Sequence, residues 1–440
     1  MLELLGSGLI SLWLDMAGVQ VKPLDALDTL AWQSGPSLVL APDPNPAVAT
    51  TVQEYLKTLG VHKLVPPDKE SVQGIWIQSG PMLMTNHQGT TPLPAASLTK
   101  IATSLASIKA FGLEHRFETL VSATGPIKNG VLEGDLIIEA KGDPLFVSEE
   151  AITLGNTLNQ MGIKQVKGNL IINGPFALNF QRHPLLAGQL LKDALNASKW
   201  NRQLSYAYNL MPKKTPKPQL VVNGKVKLEE TLPTEKTFLV RHHSLPLKQL
   251  IKEMNVFSNN DMAQMLAEAV GGHEVVQTTA ASLARVPQSE IQLINGSGLG
   301  PENQISPRAA TAMLMAIQRL VAPHNLTVAD LFPTAGYDHR GTLHSRHMPK
   351  ATTMKTGTLR DVSALAGVFP TRDRGLIWFT IINRGPDVSS FRVEQDKLLQ
   401  NITKKLLEPT DIPNLVIPHG GTATIPDFGA ISRNEVIYKG

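Results

Sequence analysis

Three short strings constrain this 440-residue chain more than anything else in it: Ser97-Leu98-Thr99-Lys100, Ser258-Asn259-Asn260 and Lys355-Thr356-Gly357-Thr358, in that order. Each is weak alone, because helix caps and edge strands use the same residue types. Their settings carry the weight. Pro94 opens a segment in which Leu98, Ile101, Leu105 and Ile108 share one face before Gly112, so a helix is predicted with Ser97 in its first turn. Residues three apart on a helix face the same way, which sets Lys100 beside Ser97. Leu247, Leu250, Ile251 and Met254 mark one later helix and Met262, Leu266 and Val270 another, with Ser258 in the link. Thr352 to Thr358, Val362 to Phe369 and Leu376 to Ile382 read as three strands separated by turns, which puts Lys355 in an antiparallel meander.

The rest of the chain frames these strings. Pro46 to Leu59 reads as an amphipathic helix, Gly74 to Gly89 as a strand hairpin, and Ser390 to Leu407 as a final helix. Residues 121–240 have a different texture, with strand openings at Gly134-Asp135 and Gly168-Asn169 and a turn at Asn223-Gly224. They are expected to form a β-rich inserted unit. The expected organisation is therefore an N-terminal extension with its first helix (1–70), a unit split between 71–120 and 241–407, the insertion (121–240), and a Pro/Gly-rich surface tail (408–440). An apolar content of 42% can fill cores of this size. The run from Leu4 to Leu14 is too short to span a bilayer and has no basic residue before it, so it reads as a degenerate signal or a packed helix.

Composition excludes several chemistries. The chain has no cysteine, which removes disulfides, thiolate metal sites and cysteine nucleophiles. Its net charge of +4 comes from scattered lysines and arginines and leaves no nucleic-acid footprint, although a mildly basic surface suits an anionic cell-wall polymer. Ile291 to Gly300 approximates a dinucleotide loop, but Pro301 stands where the third glycine is needed.

The three strings together fit nucleophilic serine chemistry, as the S-x-x-K, S-x-N and K-T-G set of an acyl-transferring serine. A serine hydroxyl attacks well only when a neighbouring base takes its proton. Lys100 can be that base if burial and a second cation, for which Lys355 is the candidate, lower its pKa. Ser258 can pass a proton to a leaving amine, and Asn260 can donate to a substrate carbonyl and hold Lys100. Lys355 and Thr356 suit a substrate carboxylate, Gly357 admits a peptide at the strand edge, and the backbone N–H groups of Ser97 and Thr358 form an oxyanion hole. Arg360 can assist the carboxylate.

These segments resemble the serine D-alanyl-D-alanine carboxypeptidases and endopeptidases of the class C low-molecular-mass penicillin-binding proteins, peptidase family S13. The resemblance runs from Gly74 to Leu407. Pro94 to Lys100 is similar to the family's P-A-S-x-x-K start, and Lys141-Gly142-Asp143-Pro144 to its G-G-D-P turn. Ser258 to Ala263 is similar to its S-N-N-x-x-A segment, and Gly341-Thr342-Leu343 to its G-T-L turn. Lys355 to Leu359 with Leu365-Ala366-Gly367 is similar to its K-T-G-T-L and L-A-G strand pair.

The resemblance implies a β-lactamase/transpeptidase-like α/β (α+β) fold, with a five-stranded antiparallel sheet, helices on both faces and an inserted domain. It implies cleavage of D-Ala-D-Ala in peptidoglycan stem peptides, with a β-lactamase or a catalytically silent peptidoglycan-binding protein of the same fold as the alternatives, acylation by β-lactam antibiotics, no metal or organic cofactor, and a periplasmic place in the cell envelope. Membrane association is left open. Two features depart from the family pattern. The Lys100–Ser258 spacing is short, which implies a reduced insertion. The family's D-G-S-G-L segment appears as Asn295-Gly296-Ser297-Gly298-Leu299 and is expected to be a structural turn.

Overall fold

The computed structural model describes residues 40–65, 72–343, 345–419 and 425–438, so the apolar run at Leu4 to Leu14 lies outside the described residues. The first half of the chain contributes α1 (Ala47–Val61), β1 (Gly74–Ser79), β2 (Met82–His87), α2 (Thr99–Phe111), β3 (Glu118–Ala123), β4 (Leu136–Ala140), α3 (Ser148–Gln160) and β5 (Leu170–Asn173). It continues with α4 (Pro184–Ala194), α5 (Arg202–Leu210), β6 (Val226–Leu228) and β7 (Thr237–His243). The second half contributes α6 (Leu247–Phe257), α7 (Asn260–Ala269), α8 (His273–Ala284), α9 (Pro307–Val321), β8 (Thr353–Leu359), β9 (Val362–Thr371), β10 (Gly375–Arg384), α10 (Val388–Leu406) and β11 (Asn434–Val436).

The first sheet runs β2-β1-β10-β9-β8, antiparallel throughout, with a two-residue strand at Ala41–Pro42 added in parallel beyond β2. β9 and β10 are nearly continuous apolar runs because both faces are covered. On one face α1 and α10 pack over Ile75, Ile77, Phe369 and Phe379. On the other, α2, α6 and α9 pack around Ile101, Leu105, Leu250, Met254 and Ile317, all fully buried. Each such side chain contributes roughly 1.5–3 kcal/mol on burial, so the helix that starts at the first motif is held from several sides.

The second sheet runs β6-β5-β4-β3-β7-β11 over a core of its own. The expectation of a β-rich stretch is corrected here, since α3, α4 and α5 lie within it. The reason is topological. β4, β5 and β6 are mutually parallel, and parallel neighbours need crossover connections, which these helices supply. The expectation of a surface tail is corrected too. β11 pairs antiparallel with β7, and Arg433 beside it is buried against Glu150. The edge of β7 offers unpaired backbone groups, and three residues are enough to cover them, too few to show a strand pattern in sequence.

Candidate active site

The segment before Ser97 is fixed first. Leu93–Pro94 pairs with Gln304–Ile305, and the Ala95 N–H donates to the Asn303 carbonyl at 2.8 Å. Ala96 then takes φ 48°, a left-handed conformation that costs a non-glycine residue about 1 kcal/mol. The chain turns so sharply that Ser97 sits on a single tight turn, Ala96–Leu98, and α2 proper begins at Thr99. The packing around this turn leaves no room for relaxation. A Cβ on Gly298 would lie 1.8 Å from the Ala96 carbonyl, and one on Gly357 would lie 2.8 Å from the Ala95 carbonyl and 3.1 Å from the Ser97 nitrogen. Those two glycines let the 295–299 loop and the edge of β8 close on Ser97 from opposite sides.

Lys100 is fully buried, and its Nζ donates to Ser97 Oγ at 3.0 Å, Asn260 Oδ1 at 2.8 Å and the Ser297 carbonyl at 2.7 Å. Three acceptors match the three protons of an ammonium. Burial pushes the Lys100 pKa down to about 7, so near neutral pH one proton is readily lost. The Asn260 and Ser297 oxygens can only accept, whereas the Ser97 hydroxyl can also donate. A neutral Lys100 therefore turns its lone pair to Ser97.

The second motif divides its labour. Asn259 caps α7, accepting from the Met262 N–H at 2.9 Å, which releases Asn260 to face Lys100. Ser258 ends α6 at φ 54°, again left-handed. Its Oγ accepts from Lys355 Nζ at 2.9 Å, so Ser258 is held by the third motif. Lys355 is fully buried and also donates to the Thr356 carbonyl at 2.8 Å. Burial first, and the nearby Lys100 second, push its pKa well below the ordinary lysine value. Desolvation is the largest cause at Lys100 as well, and the repulsion between the two ammonium groups, being mutual, works in the same direction on both.

Among the described residues β8 is the outer strand of its sheet, paired along its length with β9 and touched on its other side by a single bridge from Thr334 to Thr353. The Met354 N–H points outward, donating to the Pro333 carbonyl at 3.0 Å. Backbone groups alternate along a strand, so Thr356 and Thr358 also face outward and offer a ladder to an added chain. Thr356 Oγ1 donates to Thr342 Oγ1 at 3.1 Å, which brings the Gly341–Leu343 turn into the site. Arg360 is exposed in the β8–β9 turn, and the cation that reaches the motif is Arg392 of α10, donating to Thr358 Oγ1 at 2.7 Å.

All eight singled-out residues thus converge between α2, the α6–α7 link and the edge of β8. The 295–299 loop is more than a turn, because the Ser297 carbonyl is a direct partner of Lys100. Asn295 Oδ1 accepts from the Ser297 and Gly298 N–H groups at 3.1 and 2.8 Å, so asparagine replaces the expected aspartate without losing the loop's shape.

The chain is similar to several known proteins. The D-alanyl-D-alanine carboxypeptidase DacB of Haemophilus influenzae is 24% identical over 389 residues, 67% of this chain and 80% of that protein. The solved structure of Bd3459, a predatory peptidoglycan endopeptidase from Bdellovibrio bacteriovorus, aligns with a TM-score of 0.67 at 20% identity, covering 83% of this chain and 99% of that one. Penicillin binding protein 4 (dacB) from Haemophilus influenzae aligns with a TM-score of 0.59 at 19% identity, covering 82% and 99%. The model of the D-Ala-D-Ala carboxypeptidase 3 (S13) family matches residues 66–183 and 181–405, from the approach to β1 almost to the end of α10. The chain therefore belongs to that family and is a serine hydrolase.

Proposed function

We propose that this hydrolase removes the terminal D-alanine of peptidoglycan stem peptides through an acyl-enzyme on Ser97. The observation that carries the reading is the contact set of Lys100, in which Ser97 is the only partner able to give up a proton. Ser97 Oγ attacks the penultimate D-Ala carbonyl as Lys100 Nζ takes its proton. The oxyanion is held by the N–H groups of Ser97 and Thr358. The proton returns to the leaving amine by way of Ser258, and water, activated in the same manner, releases the acyl group. Lys355, Thr356 and Thr342 receive the substrate carboxylate, whose charge favours the protonated form of Lys355. β-Lactams acylate Ser97 in this reading, and the similar Bd3459 is known in a penicillin G-acylated form. The substrate class puts the working protein in the cell envelope, on the periplasmic side. In this reading 71–120 with 241–407 form the catalytic unit, and the second sheet belongs to the insertion.

The edge of β8 favours a single leaving residue. With the scissile carbonyl at Thr358 and the carboxylate near Thr356, a substrate runs antiparallel to β8, and a longer leaving group would continue towards Met354. There the ladder is already used. The Met354 N–H donates to Pro333, and Thr334 bridges Thr353.

The test is D-Ala release from a pentapeptide ending in D-Ala-D-Ala, compared with the same peptide extended by one residue at its carboxyl end. Release from the first alone, abolished by Ser97→Ala, supports the proposal. No release from the first, with no penicillin adduct, overturns it, and cleavage of a cross-linked dimer in parallel would add an endopeptidase activity.

A further inference from the structure

A second surface of the molecule has a composition that the catalytic groove does not use. The lysines and arginines, read above as scattered, cluster in one stretch: residues 194–228 hold seven of them and no aspartate or glutamate. The whole chain nets only +4, so this stretch alone carries more positive charge than the protein does overall. Five of the seven, Lys199, Arg202, Lys213, Lys214 and Lys217, flank or begin α5.

α5 is amphipathic in an inverted sense. Its inner face carries Leu204, which joins the second core, and Ala207, and both are buried, as is Met211 just beyond its end. Its outer stripe, at four-residue spacing, is Arg202, Tyr206 and Leu210, and Tyr206 and Leu210 are each 65% exposed. An outer helix face normally carries polar groups, and here two large apolar side chains stand out between cations.

The surface is rigidly built. Pro212, Pro216 and Pro218 stiffen the lysine loop, Tyr208 Oη donates to the Thr215 carbonyl at 2.7 Å, and Asn156 Nδ2 donates to the Pro216 carbonyl at 2.7 Å. Lys217 Nζ lies 5.2 Å from the centre of the Tyr208 ring, which also packs on Trp200. The lysines are thus presented beside the apolar stripe on a fixed frame.

We propose that the α5 face and the 212–218 loop dock the protein on an anionic lipid surface. Lysine and arginine heads meet the headgroups while Tyr206 and Leu210 enter the interface between headgroups and acyl chains. The apolar pair decides between anionic occupants, because a wall polyanion would engage the lysines and leave Tyr206 and Leu210 in water. No described helix is long and apolar enough to cross a membrane, so the attachment proposed is peripheral.

The experiment is co-sedimentation of the full chain with phosphatidylcholine vesicles, with and without phosphatidylglycerol. The expected result is binding only to the phosphatidylglycerol vesicles, weakened by salt. Lys213→Glu/Lys214→Glu/Lys217→Glu should lose about a hundredfold in partitioning, and Tyr206→Ser/Leu210→Ser about tenfold. Hydrolysis of a soluble peptide should be unchanged in both variants, which shows that they fold. Equal binding to both vesicle types, binding that the triple reversal leaves intact, or capture by purified cell-wall polymer without vesicle binding would each overturn the proposal.

Discussion

Two regions of the molecule bury lysine in opposite ways. In the catalytic groove, Lys100 and Lys355 are fully buried and their hydrogen-bond partners are hydroxyl, amide and carbonyl oxygens. Beneath the neighbouring 329–338 segment, Lys252 is nearly as buried but is paired with Asp338 at 2.8 Å, with the Ala329 and Phe332 carbonyls as further acceptors. Burial pushes all three pKa values down, but only at Lys252 does a carboxylate oppose the shift. A buried cation with a counter-charge is structure, and one without is free to act on a substrate, as a base at Lys100 and as the carboxylate's partner at Lys355.

The sharpest way to break this contrast is to remove each lysine. Lys100→Met should lower kcat about a thousandfold with no loss of thermal stability, because it removes a desolvated cation that had no carboxylate to satisfy. Lys252→Met should do the reverse. Asp338 is left buried and unpaired, costing about 3 kcal/mol or more by denaturant unfolding, and Lys252→Met/Asp338→Asn should recover much of that loss.

How much of this was legible in the sequence follows the same divide. The positions of Ser97, Lys100, Asn260 and Lys355 could be read because side chains at fixed spacings on helix and strand leave a pattern. The Ser297 carbonyl left none, since every residue has a carbonyl and only the fold aims this one at Lys100. Ser258 was placed in its link, but its bond to Lys355 depends on a contact across 97 residues. The helices of the second sheet were harder to read, because α3 buries Thr153, Asn156 and Thr157 along with its apolar residues and so lacks a clean apolar stripe. β11 was hidden because a three-residue strand is specified by the edge it covers and hardly at all by its own residues.

Smaller effects sharpen the comparison. Activity should fall as pH drops through about 7, since a protonated Lys100 cannot accept the Ser97 proton. Stability has its own sign. The folded state releases this proton near 7 and the unfolded chain near 10.5, so between those values the unfolded state binds more protons and stability rises with pH. Lys100→Met should flatten the rate dependence and make the stability dependence shallower, leaving the part that Lys355 and Lys252 contribute, as a rate profile and a melting series would show. Thr342→Val, which removes the partner of Thr356 Oγ1, should raise KM for a carboxylate-terminated peptide about fivefold and leave kcat nearly unchanged.

The most direct measurement is the rate at which penicillin acylates Ser97, followed by intact mass against pH in the wild type, Lys252→Met and Lys100→Met. An unpaired, burial-activated Lys100 predicts an adduct on Ser97 whose rate rises through about pH 7 in the first two proteins and is slow and flat in Lys100→Met. Acylation of Lys100→Met at the wild-type rate, or an adduct that persists in Ser97→Ala, would contradict it.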